Sequence, residues 1–139
     1  MSADAAKSRV LIIAIALAVG APVLGADSKV TLNGDQEVPP VNTPATATGT
    51  ISVDADKSIS GSITTSGIVG TMAHIHEGPT GKNGGVAVPL TKTAENVWSI
   101  PPNTKLSDAQ YASYKAGDLY VNVHSAEHKG GEIRAQIKP

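Results

Sequence analysis

The chain has 139 residues, no cysteine, 3% aromatic residues and a formal net charge of −1 at pH 7. This length allows one domain with one core, and the lack of cysteine excludes disulfides, thiolate metal sites, iron–sulfur clusters and cysteine nucleophiles. The sequence has no basic run and a slightly negative charge, so neither DNA nor RNA is expected as a partner.

The first 26 residues have the composition of an export signal. Lys7 and Arg9 precede an apolar stretch over residues 10–19, and small or turn-forming residues follow up to Ala26. This pattern predicts a secretory signal peptide over 1–26, cleaved after Gly25 or Ala26. The apolar stretch is shorter than the ~20 residues that span a bilayer, although an uncleaved anchor stays open. We expect a mature domain over 27–139, periplasmic or secreted, with no membrane contact after cleavage.

The mature sequence alternates apolar and small polar residues, which is typical of half-buried strands. This alternation predicts a hairpin over 45–65 with its turn at 54–57. Pro39, Pro40, Pro44, Pro79, Pro101 and Pro102 all fall between the predicted strands. The other predicted strands cover 29–33, 70–76, 86–90, 97–100, 118–124 and 132–138. About eight short strands indicate an all-β fold, a small antiparallel β-sandwich or barrel, with Trp98 among its few large core residues.

One segment has helical signals instead. Ser107 and Gln110 match a capping box, alanines follow, and Gly117 suits the position after a helix end. The sequence therefore predicts one short helix over 108–116.

All four histidines lie in two short clusters, His74 with His76 and His124 with His128. Residues i and i+2 of a strand project from the same face, so His74 and His76 can present two imidazoles to one ion, with Met72 one step further along. In the second cluster, the alternation assigns Leu119, Val121 and Val123 to the core. It assigns Tyr120, Asn122 and His124 to a solvent-side face, and Glu132, Arg134 and Gln136 of the last strand to the same face.

Neighbouring placement of these two strands would bring three imidazoles together. We expect a metal site formed by His74, His76 and His124, with His128 as the fourth ligand and Met72 as an additional one. Glu77 and Glu127 are candidate acceptors for the second N–H of a ligating imidazole. Each of these residues also has a plain structural interpretation as part of a polar strand face or a solvated loop.

Copper is the first choice of metal, because affinity at nitrogen sites peaks at Cu(II) and the Met72 thioether suits Cu(I). Zinc with three histidines and an open position is the second choice.

Other chemistry has little support. The chain lacks the Gly-x-Ser-x-Gly motif of serine hydrolases, and the glycine-rich segment 78–85 lacks the ending of a phosphate loop and precedes a strand, which favours a flexible connection.

Four segments together resemble the CHRD (chordin-type) domain family. They are Gly-Asp-Gln-Glu-Val-Pro-Pro at 34–40, Ala-His-Ile-His-Glu-Gly-Pro at 73–79, Gly-Asp-Leu-Tyr-Val-Asn-Val-His at 117–124 and Gly-Gly-Glu-Ile-Arg at 130–134. The resemblance implies an all-β domain of exported proteins and no settled enzymatic activity. Members of the family vary at the position of His128. The His-x-His strand also looks like the copper half of Cu/Zn superoxide dismutase, but this chain lacks its disulfide cysteines and its bridging histidine.

Three functions remain open at this point. The first is an exported protein that binds copper to sequester, buffer or deliver it, with a metal-receiving protein as partner. The second is a metal-independent extracellular protein-interaction module. The third is a copper redox enzyme of the superoxide-dismutase type, so an enzymatic role is uncertain and a binding role is favoured. A homodimer, with ligands crossing its interface, also stays open.

Overall fold

Two antiparallel β-sheets form the framework of residues 26–139, the part of the chain that a computed structural model describes. The predicted signal peptide lies outside these residues, apart from Ala26. The predicted all-β sandwich with one short helix is confirmed.

The first sheet has five strands in the order β1-β2-β3-β7-β6. The predicted hairpin forms its centre, with Thr46 paired to Ser66 and Val53 to Ile59. The bounds of the five strands are β1 Ala26–Leu32, β2 Thr46–Val53, β3 Ile59–Ser66, β6 Thr91–Ala94 and β7 Val97–Ser99.

The sequence analysis missed β6. All four of its residues are exposed and it lies at the edge of the sheet, so it has no buried face to produce an apolar alternation.

The second sheet has four strands in the order β5-β4-β8-β9. Its strands are β4 Gly70–Glu77, β5 Val86–Pro89, β8 Leu119–Ser125 and β9 Ile133–Ile137. β4 and β8 are neighbours, as the metal hypothesis requires, and Met72, His74 and His76 lie opposite His124, Asn122 and Tyr120.

The helix α1 spans Asp108–Ala116, which are the predicted bounds. Ser107 accepts a hydrogen bond from the Gln110 backbone N–H, and the Gln110 side chain accepts one from the Ser107 N–H. Gly117 follows in a left-handed conformation. An ion pair between Lys57 and Asp108 joins the start of the helix to the β2–β3 turn.

The apolar core lies between the two sheets. It is built mainly from β-branched and leucine side chains, and Trp98 is buried in it as predicted. From the second sheet it takes Ala73, Ile75, Val88, Leu119, Val121, Val123, Ile133, Ala135 and Ile137. The predicted alternation on β8 and β9 is therefore correct for the inward side.

The expectation that the other face of β8 and β9 meets solvent is wrong. Tyr120, Asn122 and Arg134 are at most 2% exposed, and His124 and Glu132 are also buried. Two loops cover this face, residues 34–43 and 78–85, and Asn83 Nδ2 joins them by donating to Val38 O at 2.7 Å. Strand alternation assigns a residue to a face, but it does not report what a distant loop places over that face.

Among residues 26–139, no helix is long and apolar enough to cross a membrane.

Candidate metal centre

Three imidazoles meet on the covered face of the second sheet. His74 and His76 come from β4 and His124 from β8, and one ring nitrogen of each lies within 4.8 Å of the other two. His74 Nδ1 is 3.0 Å from His124 Nε2. His74 and His124 are diagonal neighbours in the β4–β8 register, a separation that long side chains span readily.

Backbone carbonyls fix the orientation of two of these rings. His124 Nδ1 is 2.8 Å from Lys129 O, and His76 Nδ1 is 3.0 Å from Gly84 O. A carbonyl oxygen only accepts, so each Nδ1 carries the proton and each Nε2 keeps its lone pair. The usual anchor of a metal-binding histidine is a hydrogen bond of this kind on the second nitrogen. The two carbonyls occupy the role that the sequence analysis gave to Glu77 and Glu127.

A stack of three side chains supports His76. The His76 ring lies parallel to the Tyr120 ring, with 4.9 Å between centroids, and the Arg134 guanidinium lies 3.5 Å from the Tyr120 centroid. Arg134 also donates to Lys82 O at 2.9 Å and to Pro79 O at 3.1 Å. Since these carbonyls belong to segment 78–85, Arg134 anchors the loop that supplies the acceptor for His76, and it is buried rather than exposed.

Gly84 has a specific steric role in this loop. A Cβ at Gly84 would lie 1.4 Å from Glu77 O, and its N–H donates to Tyr120 Oη at 3.0 Å. Only glycine permits this approach to the end of β4, which brings Gly84 O to His76. The glycine-rich segment is thus an anchored cover of the site rather than only a connection between strands.

The environment favours neutral imidazoles. Burial lowers the pKa of His74, and the nearby His124 and His76 lower it further. Burial also lowers the pKa of His76, against an opposing hydrogen bond to Gly84. Neutral imidazole is the form that binds a metal, so these rings stay competent to bind at a lower pH than a free histidine.

The structure does not bring His128 into the three-histidine group. His128 lies with Glu127 and Glu132 in a second group, whose ligand atoms are within 4.8 Å of one another. Met72 is on the histidine face opposite His124 and is 50% exposed. Glu77 has the strand parity of Ala73 and Ile75, so it is not on the histidine face.

One buried carboxyl adjoins the site without having been singled out from the sequence. Glu37 is 4% exposed and follows the 3-10 turn Gly34–Gln36. Burial raises its pKa to about 7, and Arg134, the Asn122 amide and His128 act in the opposite direction. Glu37 Oε1, Asn122 Oδ1 and His76 Nε2 are all buried and have no hydrogen-bond partner among the described residues.

A family comparison agrees with this architecture. The CHRD domain matches residues 28–137, nearly all of the described part. The chain belongs to the CHRD domain family. This confirms the predicted family, and CHRD domains occur in extracellular or secreted proteins. No curated protein and no solved structure matches the chain.

The sequence analysis missed several groups that support the histidines in this CHRD domain. Gly84 O and Lys129 O are backbone atoms in loops, and no side-chain pattern marks them. Glu37 could have been noticed, because a carboxylate between Gln36 and Val38-Pro-Pro40 lies in one of the four segments that carry the family resemblance. Its burial depends on the fold of a loop, which periodicity does not describe.

Proposed function

We propose that this CHRD domain is an exported copper-binding protein that sequesters, buffers or delivers the ion. The ligands are His74, His76 and His124. The observation that carries the proposal is the convergence of their ring nitrogens, with the Nδ1–H groups of His76 and His124 tied to backbone carbonyls so that each Nε2 carries a lone pair.

The donor set makes copper the first choice of ion. Affinity at a fixed nitrogen site peaks at Cu(II), and zinc with three histidines and an open position is the second choice. In the metal-free protein His74 Nδ1 and His124 Nε2 are joined by a hydrogen bond of 3.0 Å, so an ion bound at these two atoms would replace the proton between them.

The surroundings of the site support exchange of the ion with a partner. His74 is only partly buried, and Met72 beside the cluster is half exposed. The Met72 thioether, at the exposed edge of the cluster, is a soft ligand of the kind that binds Cu(I). A protein that receives the metal can therefore approach from the β4 side.

The test is a titration of the mature protein with Cu(II), followed by visible absorption and electron paramagnetic resonance. Wild type is expected to bind one ion with a nitrogen-rich spectrum, and His74→Ala and His124→Ala to lose at least about tenfold in affinity, as when one good ligand is removed. His128→Ala is the matched control, because His128 lies outside the cluster, and it should bind as wild type does. Weak binding that is unchanged in His74→Ala and His124→Ala would contradict the proposal.

A metal-independent interaction module is the second candidate. The observation that favours it is a set of large apolar side chains exposed on or near the second sheet, Val69 at 85%, Met72 at 50% and Val86 at 55%. A native partner that stays bound in the presence of a chelator would support this candidate over the copper one. The redox hypothesis stays a prediction, to be decided by turnover of the copper-loaded protein with superoxide.

A further inference from the structure

The segment from the end of β8 to the start of β9 brings together a group of possible ligands outside the three-histidine cluster. Glu127, His128 and Glu132 each offer one ligand atom, and these atoms lie within 4.8 Å of one another. Glu127 is exposed, His128 is partly buried and Glu132 is buried. Within residues 26–139, no ion pair joins His128 to either carboxylate. The three groups therefore converge on one region without pairing with each other.

Glu132 is a buried carboxyl group whose hydrogen-bond donors are both neutral. It is 7% exposed, Oε1 accepts from Ser125 Oγ at 2.7 Å, and Oε2 accepts from Thr43 Oγ1 at 2.9 Å. Each oxygen has a second lone pair to offer. In the described part of the chain, no lysine or arginine forms an ion pair with Glu132. Buried carboxylates are normally paired with a cation or bound to a metal, so Glu132 is suited to a bound cation.

Hydrogen bonds also fix the turn that carries His128. The His128 N–H donates to Ser125 Oγ at 3.1 Å, and the His128 carbonyl accepts from the Gly131 N–H at 3.0 Å. The Ser125 hydroxyl thus accepts from the His128 backbone and donates to the Glu132 side chain. Metal-binding carboxylates typically have hydrogen-bonded support of this kind, which orients them before an ion binds.

The two carboxylates have access to solvent through a cavity. Glu127 and Glu132 line this cavity, which has a volume of about 370 Å³, together with Thr43 and Ser125. A tetrahedral zinc ion with bonds of about 2.1 Å spaces its ligand atoms about 3.4 Å apart. Because Glu127 is exposed, its side chain is free to move the short distance that such coordination requires.

We propose that Glu127, His128 and Glu132 form a second metal site, which binds Zn²⁺ with a water molecule as the fourth ligand. Zinc binds both imidazole nitrogen and carboxylate oxygen, and a set of three protein ligands with one open position is typical of it. Ca²⁺ and Mg²⁺ prefer oxygen ligands, so the imidazole disfavours them. With one nitrogen, the site binds Cu(II) more weakly than the three-histidine cluster does, so the first equivalent of copper still enters the cluster.

Calorimetric titration of a His74→Ala background with Zn²⁺ tests this site, because that substitution removes one ligand of the three-histidine cluster. Zinc at a hundred times its dissociation constant is expected to raise the melting temperature by about 5 °C or more. Glu127→Gln and His128→Ala are each expected to weaken zinc binding at least about tenfold, as the loss of one ligand does. Neither side chain belongs to the apolar core, so both variants should fold.

Glu95→Gln is the matched control, because it removes the same charge from an exposed position between β6 and β7 in the other sheet. It should bind zinc as the background does. Nitrogen NMR gives a direct readout, in which the His128 ring resonances are expected to shift with Zn²⁺ and to stay in place with Ca²⁺. Zinc affinity that is unchanged in Glu127→Gln and His128→Ala, or calcium binding as tight as zinc binding, would overturn the inference. These outcomes do not depend on whether the three-histidine cluster binds copper.

Discussion

Gly131 shows how one residue without a side chain shapes this site. It has a φ of 121°, and the space that a Cβ would occupy is taken by Asn122 Nδ2 and Glu37 Oε1. The adjacent Gly130 has no atom within 4 Å of its own Cβ position. Two neighbouring glycines, identical in sequence terms, therefore have different structural roles.

Gly131→Ala is expected to lower the free energy of unfolding by about 1–3 kcal/mol, from backbone strain and the displacement of buried polar groups. Chemical denaturation measures the change. Gly130→Ala is the control, with an expected effect within about 0.5 kcal/mol. Equal effects of the two substitutions would contradict the proposed packing above Gly131.

At the scale of elements, the site depends on a loop held by a strand. Arg134 on β9 fixes segment 78–85 through two backbone carbonyls, and that segment supplies Gly84 O to His76 on β4. Arginine suits this task because its planar fork donates in several directions while its face stacks on Tyr120. The loop, the stack and the histidine thus form one connected unit.

Arg134→Lys should release the loop while it keeps the charge. We expect faster amide hydrogen exchange over residues 79–85 and a Cu(II) affinity lower by about tenfold, because His76 loses its fixed orientation. Lys82→Ala in the same loop is the control, since its side chain is exposed. Exchange rates in Arg134→Lys equal to those of wild type would show that the loop is held by other contacts.

At the scale of the whole molecule, the buried groups make the stability of the protein depend on pH, and the proposed metal binding is expected to depend on pH as well. The lowered pKa values of His74 and His76 mean that the unfolded chain binds more protons than the folded one just below pH 6.5. The stability of the metal-free protein therefore falls as pH decreases through that range. Glu37 acts in the other direction. Because its pKa is raised, it makes a contribution to folding stability that is fully present below about pH 4.5 and is lost as pH rises to about 7.

The proposed copper site is expected to release its ion on acidification through the same groups. Cu(II) affinity is expected to be nearly constant above pH 6.5 and to fall below about pH 6, as protons compete for the imidazoles. Equilibrium titrations across this range measure the change. Constant affinity down to pH 5 would exclude imidazole ligation, whereas a fall that begins well above pH 6.5 would contradict the lowered pKa values.

The sequence predicted the secondary structure well, because its signals are local. The hairpin over 45–65 and α1 with its Ser107 cap followed from alternation and capping chemistry. The inward faces of β8 and β9 followed from the same period of two. β6 was missed, since an exposed edge strand has no buried face to leave a pattern.

The sequence alone determined that His74, His76 and His124 have the parity of the polar strand faces, in a chain without cysteine. Only the tertiary structure decided that β4 and β8 are neighbours, that His128 lies with Glu127 and Glu132, and that two loops bury the polar face. The physical reason is that the first kind of feature depends on neighbouring residues, and the second on contacts between residues far apart in the sequence. Side-chain parity repeats every two residues along one strand, whereas burial and hydrogen-bond partners depend on segments tens of residues away.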